Sequence, residues 1–284
     1  MDAALAVTPL VSRQQKGSTL NIRFGYADTE LGQVHYRESG AGPSVVLLHE
    51  SPLSGRIYEA TLPYLGKRVR AIAPDTPGYG ASEPPPEAID IEGYAERLLL
   101  FLDAMQLDQV ALVGNHTGGS IGIELAVRYP RRVSALVVTG SPVFDEEEAR
   151  SWLAGHIESF PFAGDGSHLA WLWKRYQRIW GEDSPTTLLH QATTEFLRTA
   201  ERYEWGYIAA FNYRAAERLP LVGCPVLFLT SAGDMLADKQ DASIAITPDA
   251  RGELFPSPWG QMPARHPEEF SNSVALFLED VGYL

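Results

Sequence analysis

Apolar residues along this chain fall into two rhythms, and the change between them organises the reading. Near the start, Leu20–Phe24 and Gln33–Arg37 alternate around the Gly-containing stretch Asp28-Thr-Glu-Leu-Gly32, which predicts an antiparallel hairpin. Beyond residue 44 the apolar positions form short continuous runs instead. Val45–Leu48, Val69–Ala73, Val110–Val113, Val133–Thr139 and Pro225–Thr230 each predict a strand buried on both faces. Helical periodicity fills the intervals at Arg56–Leu65, Ile91–Met105 and Thr117–Tyr129. Strands alternating with helices predict a mostly parallel central sheet covered by helices on both faces, with functional groups at the carboxyl ends of the strands.

Residues 144–218 break that alternation. They read as helical and hold five of the six tryptophans, Trp152, Trp171, Trp173, Trp180 and Trp205, with Tyr176, Tyr203, Tyr207, Phe211 and Tyr213 among them. The expected organisation is an N-terminal arm over 1–18, a core domain over 19–143 and 219–284, and a helical cap, or lid, inserted at 144–218. No internal repeat appears, and Pro84-Pro-Pro86 reads as a stiff loop.

Composition narrows the classes of function. The 284 residues are 45% hydrophobic and 21% charged, as in soluble globular proteins. A formal net charge of −13 argues against nucleic acid and against an anionic membrane surface as partner. The first twelve residues carry no Lys or Arg, and no apolar run is long enough to span a bilayer, so the expected location is cytoplasmic. The lone cysteine, Cys224, rules out an internal disulfide and reads as a small core residue at the mouth of a strand. A homodimer is compatible with the sequence and not required by it.

The most informative segment is Leu112-Val-Gly-Asn-His-Thr-Gly-Gly119. A strand followed by Gly114-x-x-x-Gly118 and a helical run is the pattern of a sharp strand-to-helix turn that presents its central residue to a cleft. Here that residue is His116. Four further segments complete the pattern: Leu47-Leu-His-Glu-Ser-Pro52, Asp75-Thr-Pro-Gly-Tyr-Gly-Ala-Ser82, Thr230-Ser-Ala-Gly-Asp234 and Pro258-Trp-Gly-Gln-Met-Pro-Ala-Arg-His-Pro-Glu-Glu-Phe270.

Together these segments resemble the α/β-hydrolase superfamily over residues 20–143 and 219–284, as its oxyanion loop, the loop after the next strand, the nucleophile elbow, the acid turn and the histidine loop. The resemblance implies the α/β-hydrolase fold. It places an acid at Asp234, but a histidine, His116, at the nucleophile position and a glutamine, Gln261, at the position of the catalytic histidine. A serine triad works because imidazole removes the serine proton and the acid orients the imidazole. Two of its three members are replaced here, so acyl-enzyme ester hydrolysis does not follow from the fold. Thr117 does not restore a nucleophile, because it is not centred between the glycines. His266 lies five residues past Gln261, before a proline, and reads as a helix-start histidine.

Imidazole, with an ordinary pKa of about 6.5, can exchange protons at working pH or attack a carbonyl. It is longer than serine, and from the elbow it reaches the space a histidine at 261 would fill, with Asp234 or Gln261 close enough to hold a ring nitrogen. The expected catalytic set is His116, Asp234, Gln261 and Glu50, the last replacing a glycine at the rim. The resemblance assigns the oxyanion to the backbone N–H groups of Glu50 and Thr117. His49, Ser51, His168, Trp171, Trp205 and Trp259 are the expected substrate-binding residues, and Asp75 a brace for its loop.

The leading expectation is a cofactor-independent enzyme, with no metal, that uses His116 on a hydrophobic small molecule of aromatic or polyketide-like character. Lyase (elimination), cyclisation or C–C bond chemistry in biosynthesis leads. A hydrolase in which His116 activates water is the alternative, and a non-catalytic small-molecule receptor of the same fold the second alternative.

Overall fold

The structure, a computed structural model, describes residues 21–284 apart from residues 159, 161 and 200. The expected arm over 1–18 therefore lies outside the described residues. Eight strands are described, β1 (Arg23–Thr29), β2 (Gly32–Ser39), β3 (Ser44–Leu48), β4 (Arg70–Pro74), β5 (Val110–Asn115), β6 (Val133–Thr139), β7 (Val226–Ser231) and β8 (Ala250–Phe255). They form one sheet in the order β1-β2-β4-β3-β5-β6-β7-β8. β1 and β2 pair antiparallel, as do β2 and β4, and every later pair is parallel. The first hairpin turns at Glu30-Leu31, because Thr29 pairs with Gly32, so the strands run further toward the turn than alternation alone predicts.

Side chains on successive strand residues point to opposite faces, and the core shows this directly. Val46, Leu48, Leu112, Leu136, Val138, Val226 and Phe228 belong to one buried cluster; Val45, Leu47, Ala111, Val113, Ala135, Val137, Leu227 and Leu229 belong to the other. Continuous apolar runs are thus what a sheet covered on both faces requires. The first cluster packs under α2 (Ile91–Ala104) and α3 (Thr117–Arg128), the second under α1 (Leu62–Leu65) and, further along, α11 (Pro267–Asp280). Asp90 caps α2 by accepting a hydrogen bond from the Gly93 N–H at 2.8 Å.

Two details depart from the periodicity. The single helix expected over Arg56–Leu65 is a 3-10 turn (Gly55–Tyr58) followed by the short α1, with Pro63 in α1's first turn. β8 has no apolar run at all. It is an edge strand with mostly exposed side chains and is held by backbone pairing to β7, so hydrophobic patterning does not reveal it.

Between β6 and β7 the chain forms α4 (Glu146–His156), α5 (Ser167–Trp180), α6 (Thr186–Thr199), α7 (Trp205–Asn212) and α8 (Ala215–Arg218). The remaining helices are α9 (Gln240–Ile246) and α10 (Met262–Arg265). Cys224 is buried, and burial pushes its thiol up to about 11, consistent with a packing role. No helix among the described residues is long and apolar enough to cross a membrane.

The turn from β5 into α3 is held by backbone proximity. A Cβ on Gly118 would run into the Leu48 carbonyl of β3, and one on Gly114 into the Gly118 carbonyl. Gly118→Ala is expected to cost about 2 kcal/mol or more, because the obstacle is backbone that cannot rotate away; the urea midpoint measures it, and an unchanged midpoint would show that α3 can shift freely.

Candidate functional site

His116 is the residue between β5 and α3, and its backbone is strained for a side chain with a Cβ, at φ 48°, ψ −110°. Its N–H donates to the Thr139 carbonyl at 2.8 Å, and its carbonyl accepts from the Ser120 N–H at 3.1 Å. The turn is therefore pinned on both sides. Next to it, Gly140 ends β6 at φ +67°, and a Cβ there would collide with Cδ2 and Nε2 of His116. The imidazole lies in a slot that only glycine leaves open.

The slot aims the ring at two carboxylates. Nε2 lies 3.1 and 3.0 Å from Oδ1 and Oδ2 of Asp234, and Nδ1 lies 3.5 Å from Oε2 of Glu50. Asp234 follows β7 in a tight turn. Its N–H donates to Ser231 and its Oδ1 accepts from the Leu236 N–H at 2.9 Å, so the carboxylate is oriented before the ring reaches it. Glu50 follows β3. Its carbonyl accepts from the Leu53 N–H and from Nδ1 of His49. Elements at the carboxyl ends of three parallel strands thus converge on one imidazole.

Burial and neighbouring charge together set the ionisation. For His116, burial favours the neutral ring, but the charge and hydrogen bond of Asp234, and then the charge of Glu50, outweigh it and raise its pKa to about 9. Burial pushes the Glu50 carboxyl up to about 7; His116 pulls against that shift and Asp234 adds to it. Asp234 lies below its ordinary value: burial opposes its ionisation, and the His116 charge and hydrogen bond prevail. The charges of His116 and Glu50 each shift the other, so the two groups titrate as a pair.

Gln261 caps α10 in a left-handed conformation, φ 56°, ψ 40°, with its carbonyl accepting from the Ala264 and Arg265 N–H groups. Its side chain reaches the same cavity as His116, Glu50, Ser51 and Thr117. The cavity holds about 60 Å³, room for roughly five water-sized groups. Its far wall comes from the inserted helices and the segment before them: Phe144, Tyr176, Trp180, Tyr207 and Phe211 line it. Thr117 opens α3, whose first N–H groups have no partner within the helix, and no side chain caps that end.

Several expected binding residues lie elsewhere. His49 is fully enclosed, donating from Nδ1 to Glu50 O at 2.9 Å and accepting at Nε2 from the Thr76 N–H at 2.8 Å. It ties two loops together and does not line the cavity. The ring of His168 sits against Phe160 and Phe162 with Nδ1 3.1 Å from the Ala163 carbonyl. Trp171 packs edge-on against Phe160, and Trp259 lies under the Arg265 guanidinium and against Gly181. Trp205 lines a separate outer groove with Ile208 and Asn212. Helical register accounts for the placement: in α7 the face toward the cavity carries Tyr207, Ala210 and Phe211, and Trp205 is on the other side. In α5 the corresponding face carries Tyr176, Ile179 and Trp180.

Met235 and Leu236, directly after Asp234, also line the cavity, and no sequence signal beyond their place in the acid turn marks them. Asp75 braces its loop as expected, binding His35, Arg37 and the Gly55 and Ala81 N–H groups. His266 precedes α11 and contacts Ser257 Oγ, outside the cavity.

The family model for the alpha/beta hydrolase fold matches residues 43–257, and the chain belongs to that family. A 2-hydroxymuconate semialdehyde hydrolase from Pseudomonas sp. (strain CF600) is 36% identical over 113 residues, 38% of this chain and 40% of that protein. Haloalkane dehalogenase 2 from Mycobacterium tuberculosis (strain ATCC 25618 / H37Rv) is 33% identical over 112 residues, 39% of each. An uncharacterised hydrolase of Saccharomyces cerevisiae is 28% identical over 165 residues, 56% of this chain and 52% of that one. The chain thus spans about half the length, or less, of these curated relatives. Among solved structures, the enol-lactonase from Burkholderia xenovorans LB400 superposes with a TM-score of 0.77 at 19% identity, covering 90% of this chain and all of that one. An esterase from Thermogutta terrifontis gives 0.76 at 18%, covering 91% and 99%. These two share the fold. The relatives are hydrolases, not lyases or cyclases, and they favour the hydrolytic alternative over the elimination, cyclisation or C–C bond chemistry expected first.

The raised pKa values carry a sign for stability. A group whose pKa is higher folded than unfolded stabilises the fold below its unfolded value and loses that contribution as pH rises through the folded one. For Glu50 the window is about 4.5 to 7, and for His116 about 6.5 to 9. Unfolding free energy from urea titrations is expected to fall steadily with pH across both windows. Glu50→Gln flattens the lower part and His116→Gln the upper. Identical slopes in all three proteins would show that the cluster is not coupled to folding.

Proposed function

We propose that this protein is a hydrolase of small, largely apolar carbonyl compounds, in which the His116–Glu50–Asp234 cluster activates water for direct attack without a covalent enzyme intermediate. The observation that carries this is the imidazole at the elbow, held by carboxylates at both ring nitrogens. The position that would present a nucleophilic hydroxyl instead presents a proton-exchanging group. Chemistry from this cluster is the movement of a proton, and the reactant whose proton is worth moving in a hydrolase is water.

Two further observations support the reading. Glu50 and Gln261 both line the cavity, and each has a buried acceptor, Oε1, with no hydrogen-bond partner among the described residues. Buried acceptors left unpaired are costly, and a water molecule supplies the donors both lack. Most of the remaining wall is apolar and aromatic, which suits an apolar small molecule, and the name of the Pseudomonas relative, a semialdehyde hydrolase, points to carbonyl compounds. In this reading Thr117 and Glu50 offer their backbone N–H groups to the oxyanion, Gln261 orients the water, and Ser51 contacts the substrate. The helices between β6 and β7 act as the cap. A purely binding role, the receptor alternative, has no equivalent use for the strained histidine.

Turnover in ¹⁸O-labelled water is expected to place the label in the product acid within a single turnover, and no acylated protein should appear by mass spectrometry. A fluorophosphonate probe is expected to leave Ser51, Ser120 and Ser141 unmodified. Stoichiometric labelling of a serine would overturn the direct-water reading. His116→Ala is expected to stay folded, since glycines shape the turn, and to lose about a hundredfold or more in kcat. Gly140→Ala should impair kcat similarly by pushing the ring out of its slot, although it touches no substrate; equal rates in wild type and both variants would reduce His116 to a space-filler.

A further inference from the structure

The hydrolytic reading leaves open which member of the cluster takes the proton from water. A general base needs a lone pair that faces the water. His116 does not present one: Nε2 is engaged by Asp234 at 3.0 Å, and Nδ1 faces Glu50 Oε2 at 3.5 Å. A neutral ring with Nε2–H directed at Asp234 would set its Nδ1 lone pair against a carboxylate oxygen. A doubly protonated ring donates to Asp234 and sets its positive charge beside Glu50. Glu50 differs: it lines the cavity, its Oε2 lies 3.5 Å from the imidazole, and its Oε1 is buried with no hydrogen-bond partner among the described residues. Only 6% of this residue is exposed.

We propose that Glu50 is the general base and that His116 remains an imidazolium, an internal cation that holds Glu50 in place and draws negative charge toward the elbow. This rests on the hydrolytic reading above and inverts the division of labour in a serine triad, where imidazole moves the proton and a carboxylate stays fixed. Glu50 Oε1 accepts a proton from water as the water oxygen bonds to the substrate carbonyl carbon and the π pair moves onto the carbonyl oxygen. Collapse of the tetrahedral adduct re-forms the C=O bond and breaks the bond to the leaving group. The leaving group departs with that electron pair and takes the proton from Glu50, which returns to a carboxylate. The sum is water plus substrate giving an acid and the protonated leaving group.

The surroundings are consistent with this. The charged groups acting on Glu50 are His116 and Asp234, and the phenols of Tyr58, Tyr176 and Tyr207 are coupled to it electrostatically. Burial raises all three phenols, so they stay neutral. Near neutrality Glu50 then gains and loses a proton with little driving force either way, the condition under which a carboxylate is an efficient base.

The test combines rates and spectroscopy, with p-nitrophenyl butyrate as the probe. In wild type, kcat/KM is expected to rise with pH through an inflection near 7, as Glu50 ionises, and to fall near 9, as His116 loses its proton. Glu50→Gln should lose about a hundredfold or more, together with the acid limb. Glu50→Asp should keep a weaker activity with that limb intact. In parallel, ¹⁵N spectra of the wild-type imidazole should show both nitrogens of His116 protonated at pH 7. Glu50→Gln retaining the wild-type rate and acid limb overturns the proposal while leaving ¹⁸O incorporation, and hence hydrolysis, intact. Absence of ¹⁸O in the butyrate formed overturns hydrolysis itself. Where the ester is not turned over, or the variant does not fold, the wild-type ¹⁵N spectrum decides: a neutral His116 at pH 7 refutes the assignment and an imidazolium supports it.

Discussion

The contact between Nε2 of His116 and the carboxylate of Asp234 is the interaction on which the site depends. It joins the turn after β5 to the turn after β7, two places separated by more than a hundred residues, and it does so inside the protein. Breaking a buried pair by removing one partner costs roughly 3–5 kcal/mol, because the other charge is left without compensation. The backbone of His116 sits in a conformation that costs of order 1–3 kcal/mol. That strain persists because the surrounding sheet over-determines it: β5 is paired on both sides, α3 lies against β3 through Gly118, and Gly140 leaves the slot.

Electrostatics then follow from burial set against neighbouring charge: burial prevails at Glu50, and the paired charges prevail at His116 and Asp234. Three ionisable groups share a volume with little water, and removing water disfavours each charged form. The arrangement that satisfies all three is a cation between two carboxylates, with the outer one free to vary its protonation. Glu50 is the carboxylate left with an unpartnered oxygen, and Asp234 is the one oriented by the Leu236 N–H, so the cluster is asymmetric by construction. Asymmetry of this kind separates a group that anchors from a group that titrates.

Much of this architecture is legible in the sequence because physics leaves regular traces there. Strands buried on both faces must be apolar throughout, so β3, β4, β5, β6 and β7 are visible as runs; the glycines at 114 and 118 mark a turn that nothing larger fits. Proximity of His116, Asp234, Glu50 and Gln261 is also readable, since strand order in such sheets brings those loops together. The lining of the cavity is much less so. Aromatic residues in a helix look alike in composition, and the choice between Trp205 and Phe211, or between Trp171 and Tyr176, depends on helical register against a sheet the sequence does not display. His49 illustrates the same limit. A polar ring in a functional loop satisfies both its nitrogens on backbone groups, a fate its sequence neighbours do not distinguish from ligand contact.

His116 and Gln261 make sense only together. A serine at 116 would end well short of Asp234, leaving a buried carboxylate facing an apolar cavity with no cation near it, since Gln261 carries no charge to compensate. A histidine at 261 beside the present His116 would add a second imidazole to a cavity of about 60 Å³ already bounded by one. A neutral amide at 261 avoids both problems: it adds no charge, and it leaves an acceptor free for whatever occupies the cavity. Gly140 completes the set, because a β-carbon there would exclude the ring from the position in which Asp234 holds it. Four positions far apart in the chain therefore act as one unit, in which changing any single member leaves either an unpaired charge or a steric clash.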